Sequence, residues 1–419
     1  MPSVRLRLLK PIARLKAYQD SEPSLLPITS LFMSRSNPFP SLYSARVATL
    51  AVFLYLAAPK LVSAEERISV KWQDYAEDND RIRVISRYIG FEKQVSNQIV
   101  LKGHGVHDAI SGATPIGVPA DEEGNVPLSN LVDIREAGVI DLDWTHGIHQ
   151  STFQFSYSAE SDFLSRGYSY SHTSEFNKRN TGLNYGVSFI DDDVRPGFFD
   201  ESREKESYDF FLGISQVVDP NTIVALNFTY SDYNGYLSDP YKLVRKETEI
   251  LPNIFLPLSF AENRPSDRTR HIWFVNVKRF FEGIGGSLDF DYRYFSDNWG
   301  VRSNTFDFEW YQKIGDNLII RPKYRYYSQS AASFYILDLS GTPLEPGETL
   351  QGRPPFYSSD YRLAKFDTHS YGLKIIYNLS ERYSIDASFE RYEMESKDDT
   401  PQSAFADANV LTLGGTLWF

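Results

Sequence analysis

The 419-residue sequence contains no cysteine. A disulfide framework, a thiolate metal site and a cysteine nucleophile are therefore excluded. The sequence also has no Gly-rich phosphate loop and no dinucleotide fingerprint between a strand and a helix, so it offers no recognisable nucleotide site. We predict no cofactor and no metal.

No apolar run is long enough to cross a bilayer as a helix, which needs roughly 20 residues. The longest run, VATLAVFLYLAA, covers residues 47–58 and follows Arg46, and a small-residue cleavage site, Val-Ser-Ala, occupies residues 62–64. This order is typical of a secretory signal peptide, with a buried core helix as the alternative for the apolar run. We predict a leader and cleavable signal peptide at residues 1–64 and a mature domain at residues 65–419.

Basic residues are scarce in the predicted mature domain. The whole chain has 43 Lys and Arg against 55 Asp and Glu, and residues 1–64 hold 8 of the basic and 2 of the acidic ones, which leaves a net charge of −18. Such a balance argues against nucleic acid as a partner, because binding requires basic surface that displaces counterions. A start at Met33 instead would shorten the leader without changing the mature domain.

Alternation of apolar and polar residues is the main pattern from Arg67 onward. Clear examples are TFQFSYS at residues 152–158, LNYGVSF at 183–189 and NTFDFEWY at 304–311. A period of two residues is typical of β-strands with one apolar face. Short turns alternate with longer connections, the most notable being residues 108–131, 191–205, 236–268 and 338–364.

These features predict an all-β fold, a transmembrane antiparallel up-and-down β-barrel of about 16 strands, and loose strand boundaries allow roughly 14 to 18. A soluble β-sandwich or propeller is the alternative, but a propeller should show a repeated blade motif. An aromatic content of 15%, with Tyr and Phe near strand ends, is typical of a membrane girdle. We expect export through the inner membrane and residence among the lipids of a Gram-negative outer membrane.

The carboxy terminus supports the same fold. Leu411, Leu413, Gly415 and Leu417 occupy every second position before the final Phe419. An apolar face that ends on an aromatic residue is what the last membrane-facing strand of a barrel should present. We predict that Leu417 and Phe419 belong to a C-terminal assembly signal for the barrel assembly machinery.

Charged residues alternate with the apolar ones in blocks, and these we assign to the lumen. A charge on the lipid side near the membrane midplane costs up to roughly 2–4 kcal/mol, so strands that carry several should turn them inward. The predicted lumen-lining residues are Arg83, Arg87, Asp141, Asp143, Asp289, Asp291, Arg293, Asp307, Glu309, Arg321, Lys323 and Arg325. They form either a transverse field across a water-filled pore or a ladder of cross-strand ion pairs that braces the lumen.

Catalytic chemistry is not indicated, and we predict that the chain is not an enzyme. A hydrolase needs a histidine and a carboxylate close to a nucleophile or an activated water. His146 and His149 fall in a predicted turn, whereas His172, His271 and His369 are isolated on strands. His104 and His107 are three residues apart and should therefore face opposite ways. The run Asp191–Asp193, in a predicted outer loop, is either a divalent-cation site or a solvated acidic loop.

Several runs in the mature domain are more distinctive than a generic barrel would require. They are DAISGATP at 108–115, GYLSDPYK at 235–242, RPSDRTRH at 264–271, DYRYFSDNWGVRS at 291–303, RPKYRYYSQSAASFY at 321–335 and SSDYRL at 358–363. With these runs the chain resembles an uncharacterised bacterial family, domain of unknown function 3570. The resemblance implies an outer-membrane β-barrel and, from the flavin-attachment and thioredoxin-like proteins encoded near its members, partners in an envelope redox or flavin-dependent system.

The function predicted from these observations is porin-like passage or binding of a small solute through a charged lumen. Tyr, Arg and Asp side chains near two long loops could hold an aromatic or anionic ligand at one mouth, or those loops could plug the pore. The alternative function is a plugged structural barrel that serves as a scaffold for envelope protein partners. A surface hydrolase is the third and weakest alternative.

Overall fold

The computed structural model describes residues 66–347 and 352–419. The predicted leader and signal peptide at residues 1–64 lie outside this part of the chain. Sixteen strands close into a single antiparallel barrel, and two more form a separate hairpin. The predicted all-β up-and-down barrel of about 16 strands is therefore confirmed. No helix within the described residues is long and apolar enough to cross a membrane, a finding that concerns helical spans alone.

Each strand of the wall is hydrogen-bonded to its neighbours in the chain, except that β9 pairs with β12. The intervening strands β10 and β11 form the separate hairpin. The strands are β1 Arg67–Glu77, β2 Arg83–Gln94, β3 Ile99–Pro115, β4 Leu128–His146, β5 His149–Ala159, β6 Phe163–Phe176, β7 Thr181–Val194, β8 Arg203–Asp219, β9 Thr222–Gly235, β10 Leu243–Leu251, β11 Ile254–Ala261, β12 Asp267–Phe281, β13 Gly286–Asp297, β14 Arg302–Ile314, β15 Leu318–Gln329, β16 Phe366–Asn378, β17 Tyr383–Ser396 and β18 Ala408–Trp418.

The first and last strands close the wall. Arg67 lies opposite Trp418, and Ile68 lies opposite Leu417. The chain end is held as well, because the Phe419 amide donates a hydrogen bond to the Glu66 carbonyl at 2.9 Å. The C-terminal segment is thus a barrel strand as predicted, while its reading by an assembly machinery stays a prediction.

The two faces of the wall follow the alternation of the sequence. Phe308 on β14 and Leu413 on β18 point away from the lumen with 42% and 47% of their surface exposed. Tyr371, Leu373, Ile375 and Tyr377 on β16 do the same. Aliphatic and aromatic side chains exposed in this regular way give the outer surface the composition expected of a wall in contact with lipid.

The two rims of the barrel differ. Turns of two to four residues join strands at one rim, where both chain ends also lie, and we call it the short-turn rim. The opposite rim, which we call the long-loop rim, carries the two longest connections. We name these the hairpin loop (residues 236–266, which contains β10 and β11) and the cap loop (residues 330–365).

Several strand boundaries differ from the sequence prediction, and the predicted connection at 191–205, for example, shortens to residues 195–202. β3 and β4 pair as far as Pro115 opposite Leu128, so the predicted long connection at 108–131 shrinks to residues 116–127. β15 ends at Gln329, within the distinctive run at residues 321–335. Beyond it, the chain bonds to loops instead of a wall neighbour, as when the Ser333 amide donates to the Trp299 carbonyl at 2.8 Å.

Candidate functional site

The lumen carries most of the charges that the sequence assigned to it. Outward-pointing Phe308 lies between Asp307 and Glu309 along β14, and directly opposed residues on neighbouring strands share a face. By this rule, ten of the predicted residues face inward: Asp141, Asp143, Asp289, Asp291, Arg293, Asp307, Glu309, Arg321, Lys323 and Arg325.

The basic residues of β15 are each close to a carboxylate. Arg321 lies 2.9 Å from Glu309, and Arg325 lies 3.2 Å from Asp307. Lys323 turns the other way around the wall, to Glu390 on β17, at 3.8 Å. These contacts fit the interpretation of a cross-strand ion-pair ladder that braces the wall.

The ladder extends along both neighbouring directions of the wall. Lys278 on β12 lies 3.2 Å from Asp289, and Lys374 on β16 lies 3.2 Å from Asp386. Lys278, Lys374, Asp386 and Glu390 were not among the predicted lumen residues, although each follows an apolar residue on its strand. The same period-two signal could have found all four.

One side-chain amide and one aromatic ring make further contacts with the charged residues of this wall. The side-chain amide of Asn276 donates hydrogen bonds to Asp289 at 2.7 Å and to Asp291 at 2.5 Å. Arg293 instead places its guanidinium 5.9 Å from the centre of the Phe274 ring. Of the inward basic residues predicted, Arg293 alone has no ion pair among the described residues, which makes it the most available to a solute.

A second charged wall lies on β3 to β5. Lys102 lies 3.0 Å from Asp143. Thr152 donates a hydrogen bond to Asp143 at 2.6 Å, and Gln154 donates one to Asp141 at 2.7 Å. Acidic residues here are thus held by one lysine and by neutral donors.

Two predicted lumen residues face the other way. Arg87 lies opposite Trp72, and Arg83 lies opposite Ala76, on the face of β1 that exposes Val70. The prediction that Arg83 and Arg87 line the lumen is therefore wrong. The sequence itself indicated the outward orientation, because both arginines are in phase with the apolar Ile85, Ile89 and Phe91.

The position of these arginines explains why the wall tolerates them. Arg83 begins β2 at the long-loop rim, and it is paired with outward-facing Asp74 at 2.6 Å. The cost of an outward charge falls toward the membrane surface, and a long arginine can carry its head group there.

Replacing Arg87 by leucine tests the corrected orientation. We expect Arg87→Leu to fold at least as well as the parent, because the change adds apolar surface to an apolar face. Heat-modifiable gel mobility after refolding measures the folded fraction. A marked loss of folded barrel would contradict the outward assignment.

The hairpin loop crosses the long-loop rim from one side of the barrel to the other. It leaves the wall at β9, yet Lys242 donates a hydrogen bond through Nζ to the carbonyl of Pro115 at the end of β3, six strands away. Tyr241 donates another to Asp162, between β5 and β6. A loop that bonds to distant parts of its own rim lies over the mouth of the barrel.

The cap loop packs against the hairpin loop and against the rest of the rim. Val244, Leu339 and Tyr357 from the two loops form a shared apolar cluster, each 1% exposed or less. Trp299, between β13 and β14, packs edge-on against Phe334 of the cap loop at 5.2 Å between ring centres. We call the hairpin loop and the cap loop together the plug.

A cluster of charges pins the two loops to each other. Arg264 lies 2.7 Å from both Glu262 and Asp360. Arg362 lies 2.5 Å from Asp239 and from Asp360. Asp360 is 1% exposed and contacts both arginines. The cap loop therefore contributes the carboxylate that links the charges of the two loops.

The electrostatics of this cluster follow from its burial. Arg362 and Arg264 hold the pKa of Asp360 below its ordinary value, although burial alone would raise it. Asp360 therefore contributes stability to the plug that is present above about pH 4 and is lost as the pH falls further. Burial also lowers the pKa of Lys242 and raises that of Glu262 to about 7.

The distinctive sequence runs meet at the plug. GYLSDPYK supplies Asp239 and Lys242, RPSDRTRH supplies Arg264, and SSDYRL supplies Asp360 and Arg362. Their side chains bond to one another, as a plug requires, and leave few donors for an anionic ligand. Of the two predictions made for these loops, the geometry fits the plug.

A groove of about 540 Å³ opens beside the plug. Its volume lies in the range of small-molecule sites. The groove is lined mainly by aromatic and aliphatic side chains, with a few polar groups: Trp299, Phe334, Tyr335, Ile336, Leu344, Phe356, Pro265, Ser333, Asp267 and Asn298.

The histidines are less scattered than the sequence suggested. His172 Nε2 lies 3.3 Å from His149 Nδ1, and the His146 ring centre lies 5.4 Å from that of His149. The prediction that His172 is isolated is wrong, because the barrel brings β6 beside β5. His107 shares the outward face with Arg87, whereas His104 opposes Gly90 on the inward face, as their spacing predicted.

The acidic run at residues 191–193 is not an outer loop, because it ends strand β7. Asp191 lies 3.2 Å from Arg166, Asp192 lies 2.8 Å from Lys205, and Asp193 lies 2.5 Å from Arg195. Each carboxylate therefore already has a cation, and the divalent-ion alternative for this run loses its support.

Solved structures with a similar architecture are distant in sequence. The siderophore receptor PirA from Pseudomonas aeruginosa is 9% identical with a TM-score of 0.41, over 85% of this chain and 62% of the receptor. CdiB from Acinetobacter baumannii is 8% identical with a TM-score of 0.47, over 86% of this chain and 61% of CdiB. OpdK from Pseudomonas aeruginosa, solved with vanillate, is 8% identical with a TM-score of 0.40, over 85% of this chain and 98% of OpdK.

This chain thus spans less than two thirds of PirA and CdiB, and likeness at this level concerns the barrel architecture alone. No curated protein matches the sequence. The model of one protein family, described as a protein of unknown function (DUF3570), matches residues 42–417. The chain therefore belongs to the DUF3570 family.

Proposed function

We propose that this protein is an outer-membrane barrel that passes a small charged solute and that its plug must move for passage to occur. The observation that carries the proposal is a lumen lined by charge, closed at one rim by two loops that a buried charge cluster holds together. In this arrangement the short-turn rim faces the periplasm and the plug faces the exterior.

The apolar outer face supports placement in a membrane. Exposed aliphatic and aromatic residues recur at alternate positions around the wall, and in water a surface of this kind would drive aggregation. Export by the predicted signal peptide and recognition of the C-terminal strand by the barrel assembly machinery remain parts of this proposal.

The charged lumen supports passage of a solute rather than a purely structural role. A wall braced only for stability gains little from ion pairs in water, where each contributes about 0–1 kcal/mol. Arginine and carboxylate rows facing water would instead orient a charged or dipolar solute as it moves past them. The groove beside the plug is where such a solute would first contact the closed barrel.

Ion selectivity in planar bilayers tests the role of the lumen. In a barrel with its plug loosened by Asp360→Ala, we expect the triple change Arg321→Gln, Lys323→Gln and Arg325→Gln to shift selectivity toward cations, because it leaves their carboxylate partners uncompensated. The reversal potential in a salt gradient measures the shift.

The opposite change is the matched control. Asp307→Asn with Glu309→Gln should shift selectivity toward anions in the same background. Two shifts of opposite sign support a conducting lumen lined by these residues. Equal selectivity in all three barrels would remove the proposed role.

A scaffold for envelope protein partners is the second candidate, and the closed mouth favours it. It predicts that correctly folded barrel stays silent in bilayers even after the plug is loosened. In that case the redox or flavin-linked partners implied by the family resemblance become the next targets. Catalysis is not part of this proposal, and the expectation that the chain is not an enzyme stays a prediction.

A further inference from the structure

Three carboxylates meet where the wall joins the plug. Asp133 points inward from β4, opposite Ile110 on β3. Glu160 and Asp162 lie in the short connection between β5 and β6. One carboxylate oxygen from each of the three residues lies within 4.8 Å of the others, which is the spacing at which oxygens can share one cation.

In the part of the chain that the structure describes, the cluster forms no ion pair with a basic residue. Arg135 is the nearest candidate, but it lies 2.6 Å from Asp108 instead. Among the described residues, no salt bridge reaches Asp133, Glu160 or Asp162. Like charges held this close without compensation disfavour one another strongly.

Asp162 supplies a second observation, independent of the crowding. Its side chain is only 5% exposed, and Oδ1 is sealed from solvent without any hydrogen-bond partner. Buried carboxylate oxygens are normally satisfied. The other oxygen, Oδ2, accepts a hydrogen bond from the Tyr241 hydroxyl, so the unsatisfied atom is the one left for an additional ligand.

The remaining contacts hold the carboxylates in place. The Ser161 hydroxyl donates to Asp133 Oδ2 at 3.0 Å, and the Ile134 amide donates to Asp133 Oδ1 at 2.7 Å. The Arg195 amide donates to the Asp162 carbonyl at 2.6 Å.

We propose that Asp133, Glu160 and Asp162 bind a calcium ion that ties the barrel wall to the plug. Calcium takes several carboxylate oxygens in flexible geometry, whereas magnesium demands a near-ideal octahedron and keeps most of its waters. Zinc prefers nitrogen and sulfur ligands, which this cluster does not offer. Because Tyr241 belongs to the hairpin loop and bonds to Asp162, an ion at this site also orders the plug.

The test uses the complete mature barrel, refolded in detergent micelles, with terbium as a luminescent calcium probe. Tyrosine excitation should give saturable terbium emission, since the Tyr241 ring lies beside the site. We expect calcium to displace the probe and an equal concentration of magnesium to fail. The double variant Glu160→Gln with Asp162→Asn should bind at least tenfold more weakly.

Two further variants make the result specific. Glu122→Gln with Glu123→Gln removes two exposed carboxylates from the neighbouring 116–127 loop and should leave binding unchanged. Tyr241→Phe should lose most of the emission while calorimetric calcium binding stays within a few fold of the parent. Heat-modifiable mobility confirms that each barrel is folded.

The contrary results are equally definite. Absence of saturable binding to the folded parent barrel overturns the proposal. Unchanged affinity in the Glu160→Gln, Asp162→Asn double variant overturns the assignment of the ligands. Displacement by magnesium as effective as that by calcium overturns the choice of ion.

Discussion

Asp360→Ala is expected to convert a closed barrel into a conducting one. The substitution removes the one carboxylate that Arg264 and Arg362 share, and it leaves each guanidinium with a single anion, Glu262 for Arg264 and Asp239 for Arg362. Removing one partner of a buried charge cluster costs about 3–5 kcal/mol. Since Asp360 lies in the cap loop and Arg264 in the hairpin loop, that loss weakens the contact between the two loops and leaves the Arg362–Asp239 pair as the remaining charged link. Single-channel recording should show frequent openings in place of a silent baseline.

The matched control removes a solvent-exposed carboxylate from the same loops. Glu345 is 82% exposed and lies 2.8 Å from Lys246. Because Glu345 is solvated and Lys246 Nζ also donates a hydrogen bond to the Leu344 carbonyl at 2.6 Å, Glu345→Ala should leave the baseline silent. If both variants opened the barrel to the same extent, the buried cluster would not be what holds the plug.

Phe308→Arg is expected to abolish efficient assembly of the barrel. Phe308 lies on the outward face of β14, opposite outward-facing Phe290 and Tyr324. A charge placed there costs up to about 2–4 kcal/mol when the site faces lipid near the midplane. The substitution also removes ring contacts with Phe290, whose ring centre lies 4.8 Å away. Heat-modifiable mobility after refolding into lipid vesicles measures the folded fraction.

Lys323→Gln is the control for Phe308→Arg, because its side chain faces the lumen from the adjacent strand. The lost pair with Glu390 spans 3.8 Å in water-accessible surroundings, so folding should be nearly unchanged. Equal tolerance of both substitutions would mean that the assignment of inner and outer faces is wrong.

The barrel itself could be predicted because its signals are local. Alternation along a single strand states which residues share a face, and the phase of Phe308 and Lys323 was readable without knowing any neighbour. Arg83 and Arg87 were wrongly assigned to the lumen because their charge was given more weight than their phase in the alternation of the strand. Near a rim an outward arginine is cheap, so the apolar Ile85 and Ile89 were the better guide.

The plug could not be predicted because its contacts are not local. Asp239 and Arg362 lie in different loops and meet only after β9 and β15 have taken their places in the wall. Their sequence runs were recognisable as distinctive, but the choice between a ligand site and a plug needed the partner of each charge. The acidic cluster at Asp133 was missed for the same reason, since one of its members lies on a strand and two lie in a turn.

Labelling of the lumen from outside the cell shows whether the plug closes the barrel. The absence of cysteine makes a single-cysteine chain straightforward. Lys323→Cys, treated with a membrane-impermeant thiol reagent on intact cells, should react slowly, while the exposed Glu345→Cys reacts fast. Adding Asp360→Ala should raise the rate at the Lys323 position at least tenfold. Fast labelling of Lys323→Cys with the plug unchanged would show that the mouth is open and that the plug does not close the lumen.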